Sequence, residues 1–103
     1  MEYYLDNYTR QPGFLLERLA ANCKARRLER GYSRNTLSKR CGVPAPTLEK
    51  FERTGHISLE AFCRIAIELD YFEEMAAILS RSKYTTGEEL ETINKNRNRK
   101  KGR

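Results

Sequence analysis

The chain has no tryptophan, one histidine, three prolines and three cysteines. A single histidine, with no Gly-rich phosphate loop and no Ser/His/Asp arrangement, leaves catalysis without its usual groups. The expectation is a protein that is not an enzyme and uses no cofactor. Cys23, Cys41 and Cys63 are widely spaced and include no Cys-x-x-Cys pair. That pattern argues against a secreted disulfide scaffold, and against a metal site because zinc ligands come in close pairs. No stretch approaches the roughly 18 consecutive apolar residues of a membrane span. The opening residues, MEYYLDNYTR, do not read as a signal peptide. A cytoplasmic chain with no membrane partner is expected.

What is present is charge. Hydrophobic residues make up 39% of the 103 and charged residues 33%, enough for one modest core. The net charge of +6 is distributed unevenly. Residues 94–103, NKNRNRKKGR, hold six basic and no acidic residues. Residues 18–53 carry ten basic and three acidic residues, whereas residues 54–93 carry three basic and eight acidic. A basic block followed by an acidic one, then a basic tail, fits a protein with one face for polyanions.

The helical period dominates, and no run alternates like a strand. After a Tyr-rich arm (Tyr3, Tyr4, Tyr8), Pro12 and Gly13 break the chain, and a first helix is expected from about Phe14 to Arg30. Its apolar face reads Leu15, Leu16, Leu19, Ala20 and Cys23, and Gly31 is placed to end it with a positive φ. Ser33 suits the N-cap of a short second helix to about Cys41, with Leu37 inward. A third helix opens through Pro44-Ala-Pro46 and continues past Leu48 and Phe51 to about Arg53. Ser58 caps a fourth, whose face is Leu59, Phe62, Ile65, Ala66 and Leu69. Asp70 and Glu73 read as a capping box before a fifth helix bearing Phe72, Met75, Ala76, Ile78 and Leu79. Thr86, followed by Glu88, Glu89 and Leu90, is a candidate start for a short sixth helix.

The strongest signal lies in Ser33–Arg53. Two short helices joined by a Gly-centred turn, with Leu37, Val43, Leu48 and Phe51 inward, match the helix-turn-helix signature. Such a turn holds the second helix across the first, so that its leading end projects into a DNA major groove. The first helix then lies near the backbone, where N–H groups and side chains grip phosphate.

The chain resembles the Xre/Cro-like helix-turn-helix regulators, the lambda-repressor-like family that includes phage repressors and HipB-like antitoxins. The resemblance spans about Leu16 to Leu79. It rests on R-x-x-R-G-Y-S (Arg27 to Ser33), L-S-x-x-x-G (Leu37 to Gly42), T-L-E-K-F-E (Thr47 to Glu52) and I-S-L-E-A-F-C-R-I-A-I-E-L (Ile57 to Leu69). It implies an all-α, five-helix DNA-binding domain over residues 14–80, with a flexible N-terminal arm over 1–13. An acidic linker or short helix would follow over 81–93, then a basic disordered tail over 94–103. Under this resemblance Ala45, Pro46, Thr47 and Lys50 face bases, with Glu49 at their edge. Ser33, Arg34, Lys39, Arg40 and Arg53 hold phosphates, Arg34 standing where the family usually has glutamine. Arg27 and Glu52 match a buried ion pair. Ser38 replaces the usual alanine at the helix crossing, and Pro44 replaces the usual Ser or Thr cap.

The implied function is a sequence-specific transcriptional regulator, a repressor that binds a palindromic operator as a homodimer and associates with the nucleoid through DNA. The arm around Tyr3–Tyr8 and the fifth helix, with Phe72 and Met75, are the expected dimer contacts. Ala45 and Pro46 have no side-chain donor or acceptor, so specificity is expected to lean on DNA shape, dimer spacing and backbone contacts. Two alternatives use the same fold. One is an antitoxin that binds a toxin protein through the acidic 54–93 segment and represses their operon. The other is a protein- or RNA-binding adaptor.

Overall fold

The computed structural model describes residues 10–83 and 86–97. The Tyr-rich arm and the last basic residues, 98–103, lie outside that range. The described residues are all-α, with helices α1 (Pro12–Glu29), α2 (Arg34–Cys41), α3 (Ala45–Thr54), α4 (Leu59–Glu68), α5 (Phe72–Ala77) and α6 (Gly87–Asn96). No helix among them is long and apolar enough to cross a membrane.

The core gathers Ala20 and Cys23 from α1, Leu37 from α2 and Val43 from the connecting turn. Leu48 and Phe51 of α3 join them, with Ile65 and Leu69 from α4 and its end. Each fully buried Leu, Ile or Phe contributes about 1.5–3 kcal/mol relative to exposure. Phe51 meets Phe62 edge-on, ring centroids 5.8 Å apart. Helix α3 packs against α1 and α2, and α4 against α2 and α5, so the α2–α3 pair is held from both sides.

The ends of α1 and α4 are built alike. At α1 the Gly31 N–H donates to Leu28 and the Tyr32 N–H to Arg27, with Gly31 at φ 73°. At α4 the Asp70 N–H donates to Ile67 and the Tyr71 N–H to Ala66, with Asp70 at φ 73°. Both are Schellman closures, the second using an aspartate where glycine is usual. The two ends are joined by arginine. Arg26 Nε donates to the Leu69 carbonyl at 3.1 Å, and Arg30 Nη1 donates to the Asp70 carboxylate at 2.8 Å. Cations at the carbonyl ends of both helices also offset their partial negative charge.

Several expectations are corrected here. Pro12 does not precede α1 but occupies its first turn, where a missing N–H leaves no hydrogen bond unmade. Leu15 and Leu19 are 58% and 39% exposed, so the α1 core face narrows to Leu16, Ala20 and Cys23. Asp70 closes α4 rather than opening α5, whose N-cap is Tyr71 with no side-chain hydrogen bond. Ile78 and Leu79 fall beyond α5, and Phe72 and Ile78 are each 57% exposed. A sixth helix does form, with Thr86 accepting from the Glu89 N–H as a true cap. It runs to Asn96, so a boundary at residue 93 would cut through it, and residues 94–96 are helical rather than part of a disordered tail.

Gly55 ends α3 at φ +85°, and a Cβ built there would lie 2.8 Å from the Leu16 carbonyl carbon. Gly31 shares the positive φ, but a Cβ there meets nothing within 4 Å. Replacing Gly31 with alanine should therefore cost only the backbone strain, about 1–2 kcal/mol. Gly55→Ala adds displacement of α1 from α3 and should cost roughly twice that. Thermal unfolding checks this, since about 1 kcal/mol moves the midpoint of a domain this size by about 4–8 °C. Equal losses at the two positions would show that the approach of α1 is not limiting.

Candidate nucleic-acid interface

Ser33 starts α2 as its N-cap, accepting from the Thr36 N–H at 3.0 Å and donating to the Thr36 hydroxyl at 3.0 Å. Its one proton is thereby committed within the helix start. Residues Gly42, Val43 and Pro44 then reverse the chain. The Gly42 N–H closes on Ser38 at 2.9 Å, Val43 is 2% exposed in the core, and Pro44 begins α3 without a side-chain cap. The buried Val43 fixes how α3 crosses α2, because turning it outward would leave a void among Leu37 and Leu48.

At 3.6 residues per turn, the inward Leu48, Phe51 and Glu52 leave Pro46, Glu49, Lys50 and Arg53 on the outward side of α3. Ala45 and Thr47 take opposite flanks. An open groove accordingly joins Ser33, Arg34 and Asn35 of the α2 start to Ala45, Pro46 and Glu49 of α3. Thr47 does not share it. Thr47 opens instead onto a second depression with Gly42, Pro44, Ser58, Ala61 and Arg64. The five residues expected to face bases are thus spread around more than one side of α3.

One carboxylate holds two of the arginines that line the groove. Glu52 has a side chain only 4% exposed, and it accepts from Arg27 Nε at 2.7 Å and Arg27 Nη2 at 3.0 Å. Arg27 is itself 6% exposed and also donates to the Tyr32 carbonyl at 2.9 Å. The expected buried pair of Arg27 and Glu52 is therefore present. It has a third member, since Arg34 Nε donates to Glu52 Oε1 at 2.9 Å. Burial works to raise the Glu52 pKa, but hydrogen bonds from Arg27 and Arg34, reinforced by their charges, outweigh it, and the value falls below the ordinary one. Nearby, burial and the Glu52 charge push the Cys23 thiol up to about 11, which makes it a packing group rather than a nucleophile.

The remaining cations are paired more than the sequence implies. Arg53 donates to Glu49 at 2.9 and 3.4 Å, and that hydrogen bond is the main reason the Glu49 pKa is lowered. Arg40 lies 3.5 Å from Glu68 and its guanidinium sits 4.9 Å from the Tyr32 ring centroid. The side chains of Lys39 and Lys50 are exposed, and neither ammonium group has a hydrogen bond or ion pair among the described residues. Sequence reasoning missed Asn35, which lines the groove beside Arg34. Its position in the first turn of α2, one residue past a groove cation, is the signal that would have found it. Sequence reasoning also missed Arg64, whose Nη1 lies 3.2 Å from where a Gly42 Cβ would stand. Among the described residues, no group of three or more His, Cys, Asp or Glu is gathered to hold a metal.

The ion triad makes a stability prediction with a definite pH sign. A carboxylate whose folded pKa is depressed stabilises the fold above its unfolded value, about 4.3, and loses that contribution as pH falls through the folded value. At about pH 7, Glu52→Gln should lower the unfolding free energy by about 3–5 kcal/mol, because Arg27 is left buried and unpaired. The gap should narrow below about pH 4.3 as the wild-type carboxylate protonates. Arg34→Ala, at a side chain 42% exposed, should cost no more than about 1 kcal/mol. Urea denaturation across this pH range checks both, and a gap that does not change with pH would contradict the assignment.

No family model, curated protein or solved structure matches this chain.

Proposed function

We propose that the chain is a sequence-specific DNA-binding regulator of lambda-repressor-like arrangement, acting as a repressor, with α3 entering the major groove and α2 lying along the backbone. The observation that carries this reading is the groove shared by the starts of α2 and α3, with Arg34 anchored through Nε to the buried Glu52. One nitrogen of the guanidinium is fixed to the core, and its two terminal nitrogens make no hydrogen bond among the described residues. A preset cation beside two helix starts favours phosphate, and a single helix fits the major groove. Lys39 on α2 and Lys50 on α3 add two cations with no carboxylate partner among the described residues. Arg40 and Arg53 each face a carboxylate, Glu68 and Glu49, which offsets part of the charge they offer to phosphate.

A symmetric homodimer on a palindromic operator belongs to the same proposal. Its support is apolar surface on and just past two helices: Leu15 and Leu19 of α1, Phe72 of α5 and Ile78 beyond it are exposed, and Leu19 and Ile78 line a cleft with Phe62 and Met75. The same surface supports the second reading, an antitoxin that covers it with a toxin protein.

Fluorescence anisotropy over a salt series tests the proposal, using the duplex upstream of the protein's own gene and a scrambled duplex. The full chain and a version ending at Arg97, which keeps α6 whole, should both prefer the upstream duplex by at least about a hundredfold. Lys39→Ala should weaken both duplexes alike and flatten the slope of log K against log salt by about 0.9. Equal binding to both duplexes, lost on truncation, would assign the attraction to the tail. No binding at low salt would reject the DNA reading in favour of a protein or RNA partner.

A further inference from the structure

Around the groove, α3 offers bases very little. Ala45 and Pro46 carry no side-chain donor or acceptor. Glu49 alone brings an ionised acceptor there, half-exposed on the same wall. A free carboxylate on a DNA-facing surface would be repelled by phosphate. Glu49 is not free, because Arg53 donates to both of its oxygens from one turn further along α3. The pair presents a carboxylate that is held in direction, neutralised by its own helix neighbour, and left with further lone pairs.

A carboxylate can only accept, and the major-groove edges of the four bases respond to it differently. Guanine shows two acceptors, O6 and N7, and thymine shows O4, so both repel it. Adenine offers the N6 amine but sets the N7 acceptor beside it. Cytosine offers the N4 amine with no acceptor adjacent on that edge. On the DNA-binding reading proposed above, we infer that Glu49 is the specificity-determining residue of α3 and selects cytosine by accepting from its N4 amine, with Arg53 as its positioning residue. Lys50, one residue further on, then adds affinity and a separate contact rather than setting this position. The face that looks chemically poor from Ala45 and Pro46 therefore reads one base by polarity and leaves the others to shape.

The test is selection of binding sequences from a randomised duplex pool with the full-length wild type, Glu49→Gln and Arg53→Ala. Melting curves for all three should agree within a few degrees, since Glu49 and Arg53 lie on the outward side of α3, away from the core. The wild type should enrich one cytosine per half-site, favoured over adenine by about tenfold. Glu49→Gln should move that position toward adenine, whose N6 and N7 match an amide, while every other position is retained. Arg53→Ala should keep cytosine with a smaller preference. A cytosine preference unchanged in Glu49→Gln, or a wild-type site with no cytosine position, overturns the inference while leaving DNA binding intact. A wild-type pool with no enriched sequence overturns the sequence-specific reading itself.

Discussion

The Glu52 carboxylate, with a side chain 4% exposed, accepts hydrogen bonds from two guanidinium groups carried by different helices. Arg27 reaches it from the core side of α1, and Arg34 from the solvent side of α2. Because Glu52 sits on α3, this one ion joins the three helices that define the candidate interface. A buried ion pair of this kind contributes little net stability compared with an apolar substitute, but losing one partner is costly. It acts as a register device. Hydrophobic packing of Ala20 and Cys23 with Leu48 and Phe51 would tolerate small slides of α3 against α1, whereas the two-point contact of Arg27 with Glu52 fixes one position.

The same economy governs the surface. Residues 18–53 carry a large excess of positive charge, yet Arg34, Arg40 and Arg53 each meet a carboxylate, and two of those carboxylates, Glu49 and Glu52, stand on α3 itself. Paired charges attract a polyanion less than bare ones at long range, because their opposing fields cancel at distances greater than the separation within the pair, and salt screens what remains beyond the Debye length. At contact they differ: each pair carries fixed donors and acceptors. A face built from such pairs favours discrimination between partners over raw attraction, and Lys39 and Lys50 supply the unpaired charge.

The helix period and the turn at Gly42 and Val43 are legible in the sequence because each depends on local spacing, whereas the Arg27–Glu52 pair, 25 residues apart, is legible only through the family resemblance. Other features depended on tertiary partners. Leu15 and Leu19 share a helical face with Cys23, yet nothing covers them within the described chain, so apolar spacing overstated the core. Asp70 looks like a cap because Asp-x-x-Glu is a cap pattern. It closes α4 instead because Arg30 meets its carboxylate from forty residues away, a contact no local pattern contains. Asn35 and Thr47 show the same limit at the site. Which wall of α3 a residue lines depends on where α2 and α4 lie, and that is set by the buried Val43.

Under the proposed function, the joined starts of α2 and α3 meet DNA together. The most direct measurement is an amide chemical-shift titration of the isotopically labelled full chain with its upstream duplex. The largest shifts are expected at Ser33–Asn35, at Ala45 and at Thr47–Lys50, with the α5 amides unmoved at a duplex concentration that leaves the oligomeric state unchanged. Shifts confined to α5 and α6, with the α2–α3 groove silent, would contradict the proposal.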